Sequence, residues 1–80
     1  MTRVFISNEE LGSWLTTELR RNSGCEDVFV IGITKLYQPD EDGCNWSDQL
    51  TVRSGGVFSD YFWSDLQKIV QQGRLKFNLK

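Results

Sequence analysis

Val28-Phe29-Val30-Ile31-Gly32-Ile33-Thr34-Lys35-Leu36-Tyr37 decides how this chain is read. Its β-branched and aromatic residues, with no helical spacing among them, predict a strand. Pro39-Asp40-Glu41-Asp42-Gly43 follows as a turn, with Gly43 free to adopt a positive φ. Beyond the turn, Trp46, Leu50 and Val52 alternate against Asn45, Ser47, Gln49, Thr51 and Arg53, which predicts a half-buried strand. The two strands make an antiparallel hairpin. Its first strand is apolar on both sides: Val28, Val30 and Leu36 on one, Phe29, Ile31, Ile33 and Tyr37 on the other. Register parity decides which set joins Trp46 in the core, because a one-residue slip exchanges every side chain. The larger Phe29 set is expected inside. Val28, Val30 and Leu36 are then expected on the open face, either covered there by Phe77, Leu79 or a loop of the same chain or offered as a surface to a protein partner or a second copy.

Upstream, Ser7-Asn8-Glu9-Glu10 is a capping box, and Ile6 with Leu11 fits a hydrophobic staple. Leu11, Trp14, Leu15 and Leu19 recur at helical spacing, Arg20 and Arg21 suit a helix C-terminus, and Asn22-Ser23-Gly24 stops it. A helix over 8–22 is predicted. Downstream of Ser54-Gly55-Gly56, a second helix over 58–72 would bury Phe58, Phe62, Leu66, Ile69 and Val70, with Gly73 as its C-terminal cap. Arg74 to Lys80 then alternates, with Leu75, Phe77 and Leu79 on one face, and reads as a last strand. The rival reading carries the helix through Gly73 to Phe77, at about 1 kcal/mol of propensity.

With Val4-Phe5-Ile6 as a first strand, the order is βαββαβ. That is the split βαβ order of ferredoxin-like α+β domains, two helices on one face of a four-stranded antiparallel sheet. The alternative is αββα with a C-terminal helix extension. Eighty residues make one domain, 1–80.

Composition narrows the function. Apolar residues at 39% and charged residues at 25% form an ordinary globular balance. The chain has no His, which removes serine–histidine and cysteine–histidine catalysis and imidazole metal sites. No apolar run approaches the roughly 20 residues of a membrane span. The first ten residues turn acidic too early for a secretory signal. Cys25 and Cys44 flank a strand whose ten residues span roughly 33 Å, whereas a disulfide needs Cα atoms within about 7 Å. Two free thiols and a cytoplasmic setting are expected. Both cysteines have acidic neighbours, which disfavour a reactive thiolate.

The acidic turn does not fit a calcium loop. With Gly43 at loop position 6, Asp40 and Asp42 fall at 3 and 5, but Gln38 and Gln49 occupy 1 and 12. Ser54-Gly55-Gly56 lacks the spacing and the Lys-Ser or Lys-Thr pair of a phosphate loop. Neither a cofactor nor a metal is expected.

Val4-Phe5-Ile6-Ser7-Asn8 looks like the shorter strand motif of RNA-recognition domains. Phe5, Arg53, Arg74, Lys76 and Phe77, with Lys68 and Lys80, would make the corresponding nucleic-acid contact. The longer motif is missing from Asp48 to Ser54, and a net charge of −2 counts against nucleic acid. Asp40-Glu41-Asp42-Gly43-Cys44-Asn45-Trp46-Ser47 resembles a stretch of small uncharacterised bacterial proteins of this length. That resemblance carries no activity, cofactor or catalytic residue with it. The sequence therefore predicts a non-enzymatic protein-interaction module that self-associates or binds another protein through a sheet face. A nucleic-acid-binding domain is the alternative, and a thiol enzyme using Cys44 comes third.

Overall fold

The computed structural model describes residues 3–23, 27–55 and 61–80. Its elements run β1 (Val4–Ile6), α1 (Asn8–Ser23), β2 (Phe29–Lys35), β3 (Trp46–Arg53), α2 (Phe62–Lys76) and β4 (Phe77–Leu79). This is an α+β domain in the expected element order. Cys25, Phe58 and the glycines at 24 and 56 lie outside the described residues.

The capping box forms as read. The Ser7 hydroxyl accepts from the Glu10 amide at 3.1 Å, and the Glu10 carboxylate accepts from the Ser7 amide at 3.2 Å. Leu11, Leu15 and Leu19 are fully buried and meet Phe62, Leu66, Ile69 and Val70 of α2. Each such side chain contributes about 1.5–3 kcal/mol relative to exposure. The turn also forms as read, with Gly43 at φ 83°. Asp40 organises it: its Oδ1 accepts from the amides of Asp42 and Cys44 at 2.9 and 3.1 Å.

Parity is where the structure departs from expectation. Val30 pairs with Val52, and Ile33 with Leu50, so β2 advances by three while β3 advances by two. The extra residue lies between Val30 and Gly32, a β-bulge that leaves Ile31 unpaired. Both Val30 and Ile33 therefore face the core, although a strict period of two would separate them. Val28 is fully buried, Val30 and Leu36 are half-buried, and the expected open surface of these three does not exist. Phe29 and Ile31, 51% and 54% exposed, take the outer face instead, and Tyr37 stands almost entirely in solvent. Gly32 makes the bulge possible, since a Cβ there would lie 3.2 Å from Thr51 Cβ.

The strands do not join into one antiparallel sheet. β2 and β3 form an antiparallel ribbon, and β1 and β4 form a separate parallel pair. Side chains of the ribbon take the backbone groups of β4 that another strand would use. Asn45 donates to Leu79 O at 2.8 Å and accepts from Leu79 N at 2.7 Å, and Trp46 Nε1 donates to Phe77 O at 3.0 Å.

The C-terminus combines the two readings. α2 runs through Gly73 to Lys76 and passes directly into the short β4. Gly73 is not a cap. It lies between aromatic rings, where a Cβ would come within 3.0 Å of Trp14 and 3.4 Å of Trp46. Leu75 consequently remains on the helix and exposed, while Leu79 is buried.

Candidate functional site

The buried stripe of α1 is Leu11, Leu15 and Leu19; beside it runs a polar one. Asn8, Gly12, Thr16 and Arg20 recur every fourth residue, which stacks them on one helix face. This face lies along β2 and bonds its backbone. Asn8 Nδ2 donates to Ile33 O at 3.4 Å, Thr16 Oγ1 accepts from Val30 N at 3.1 Å, and Arg20 Nε donates to Val28 O at 3.1 Å. The contacts occur in reverse order, so α1 and β2 run antiparallel.

Because Gly12, Ser13, Thr16 and Thr17 are small, the two elements leave an open groove of about 470 Å³ between them. Phe29 and Ile31 line the β2 side, and half-buried Val30 and Ile33 lie deeper. Glu9 marks one end. Arg20 marks the other, its guanidinium carbon 4.4 Å from the centre of the Phe29 ring. Arg53 is the Cα partner of Phe29 on β3 and does not itself line the groove. A helical rise of about 1.5 Å per residue sets Glu9 and Arg20 roughly 16 Å apart. Groups that far apart cannot act together on one bond. The arrangement is suited to binding rather than to proton transfer.

The other candidate residues do not share a surface. Phe5 is 57% exposed on β1. Arg74 is largely buried and paired with Asp40, and its backbone carbonyl accepts from Arg3 Nε at 2.6 Å. Phe77 packs edge-on against Trp14 with ring centres 5.3 Å apart, and Lys76 Nζ lies 5.6 Å from the centre of the same ring. Arg53 belongs to the opposite end of the ribbon, since seven strand steps from Trp46 cover roughly 23 Å. The Asp40 carboxylate serves the turn amides and Arg74. Cys44 is a free, buried thiol, and burial pushes its pKa up, away from the reactive thiolate. No helix among the described residues is long and apolar enough to cross a membrane.

The sequence reading missed the polar stripe of α1 and the pairing of Asn45 with β4. A signal for the first was present: a glycine in mid-helix, four residues from both Asn8 and Thr16. Asn45, placed by its alternation on the polar side of the strand, is buried and reaches across to β4 instead. No protein-family model, curated protein or solved structure matches the chain. Its function has to be argued from its own residues.

Proposed function

We propose that the chain is a small non-enzymatic interaction module. It docks a partner protein on the solvent face of β2 and the adjoining groove of α1. The observation that carries this reading is the pair Phe29 and Ile31, large apolar side chains half in solvent beside a groove that is already formed. The bulge places Ile31 there, and Arg20 holds the Phe29 ring from the helix side. Leaving such groups wet costs stability that burial against a partner would recover. A free buried thiol at Cys44 suits a reducing, cytoplasmic setting.

Site-specific photo-crosslinking tests the proposal. A photoreactive residue replacing Ile31 should give one discrete adduct in native cell extract, whereas the same residue at exposed Gln67 on α2 should give none. Equal labelling from both positions, or none from Ile31, would overturn the assignment. An adduct of twice the chain's mass would make the partner a second copy. The nucleic-acid reading has less support, because Arg74 is paired with Asp40, Phe77 is packed on Trp14, and Arg53 lies at the far end of the ribbon.

A further inference from the structure

Resting on that reading, we infer that the groove takes a short extended segment of the partner. A carboxylate side chain lies at its Arg20 end, a cationic side chain at its Glu9 end, and apolar residues lie over Phe29 and Ile31. Dimensions support this. Five extended residues span roughly 16 Å, and the helix separates Glu9 from Arg20 by about the same distance.

Charge supports it as well. Arg20 is held in place by its Nε bond to Val28 O and by the Phe29 ring. Of the described carboxylates on either side of it in sequence, Glu18 pairs with Arg21 and Asp27 sits against Gly55. A guanidinium fixed on an aromatic face is preorganised for a carboxylate. Area separates a segment from a second copy. An aromatic side chain buries about 150–250 Å², so half-exposed Phe29 offers roughly 100 Å², with half-exposed Ile31 beside it. A stable two-fold interface takes about 800 Å² from each partner.

Gly12 supplies an independent indication. A Cβ there would meet only Ile33 Cδ1 and Val30 O, both at 3.9 Å, an ordinary contact. Packing does not require glycine at this position, yet glycine is a poor helix former. What it provides is depth in the groove wall.

The test is a titration of the full chain, followed by amide NMR, with capped pentapeptides. Lys-Val-Thr-Val-Glu and Glu-Val-Thr-Val-Lys allow either strand direction; versions with two Lys ends or two Gln ends are the controls. A mixed-charge peptide should shift the amides of residues 12–17 and 29–33 saturably. Replacing its Glu by Gln should weaken it about fivefold, the scale of one partly exposed ion pair. In the Arg20→Gln protein that fivefold difference should vanish, and in Gly12→Leu, which suits a helix, binding should be lost with the spectrum otherwise retained. Should Arg20→Gln not fold, the peptide series on the unaltered chain still decides. Binding independent of end charge, or no saturable shift from any peptide, would overturn the inference. A discrete Ile31 adduct with silent peptides would leave the docking module standing and remove only the extended segment. Silence in both experiments would remove both.

Discussion

The two ends of the β2–β3 ribbon solve the same problem differently. Near Cys44, Asn45 and Trp46, the polar groups are tied to partners inside the protein by a set of side-chain to backbone bonds. Asn45 bonds both backbone groups of Leu79, and Asn78 returns the exchange by accepting from Asn45 N at 3.2 Å and donating to Gly43 O at 3.0 Å. Near Phe29 and Ile31, the outward backbone of β2 is held by helix side chains instead, and the apolar groups face water. Buried backbone groups must be satisfied, which makes the first end rigid and cooperative. An end held by exposed side chains opens at lower cost, which is where binding surfaces are drawn from.

The strongest way to break this contrast is to cut the asparagine exchange. Asn45→Ala leaves Leu79 N and O unpaired in a buried place, at about 1–3 kcal/mol for each orphaned group. A domain of this size holds roughly 4–12 kcal/mol in total. Urea unfolding of Asn45→Ala should therefore show a loss of about 2–5 kcal/mol. The double variant with Asn78→Ala should lose less than the sum of the two single variants, since the side chains serve one junction. Strict additivity would mean that the two asparagines act independently and that the junction is not a unit.

The two mid-helix glycines sharpen the same contrast, because they should respond with opposite sign. Gly73→Val drives methyl groups into Trp14 and Trp46 and should cost about 1–3 kcal/mol by overpacking. Gly12→Ala meets no obstacle and should add about 0.5–1 kcal/mol through helix propensity. Thermal melting of the two variants measures both. A destabilised Gly12→Ala would show that the groove wall is already under packing pressure, contrary to the 3.9 Å spacing.

Sequence made the local features legible and left the long-range ones hidden. The Ser7–Glu10 box, the Leu11–Leu19 stripe and the Gly43 turn are set by residues a few positions apart, and all three formed as read. The inner face of β2 did not, because alternation holds only while both strands advance together. One bulge residue moved Phe29 out and Val28 in, and its only trace was Gly32, whose need is felt against Thr51 on another strand. Gly73 was similarly opaque: it looks like a helix stop until Trp14 and Trp46 arrive from elsewhere in the chain. The groove was hidden for the same reason, since Asn8, Thr16 and Arg20 look like ordinary surface residues until β2 lies beside them.

The gentlest perturbation uses pH at the junction between the two regions. Ser7 joins β1, which belongs to the tightly bonded end, to α1, which walls the groove. Glu10 accepts from the Ser7 amide, and this bond first, then the Ser7 hydroxyl, lowers its pKa below the ordinary carboxylate value. A lowered folded-state pKa means that the capping carboxylate stabilises the folded chain fully above the unfolded value. That contribution is lost as pH falls through the folded one. An NMR titration should place the Glu10 midpoint below the ordinary carboxylate value. Acidification through it should move the amides of Ser7, Asn8 and Ile33, because fraying the first turn loosens the Asn8 bond at the anionic end of the groove. Leu79 should stay still, held by asparagine groups that do not titrate. Glu10→Gln should abolish the Ser7 and Ile33 response. If Leu79 moved with them, the two ends of the ribbon would be one cooperative body and the contrast between them would fail.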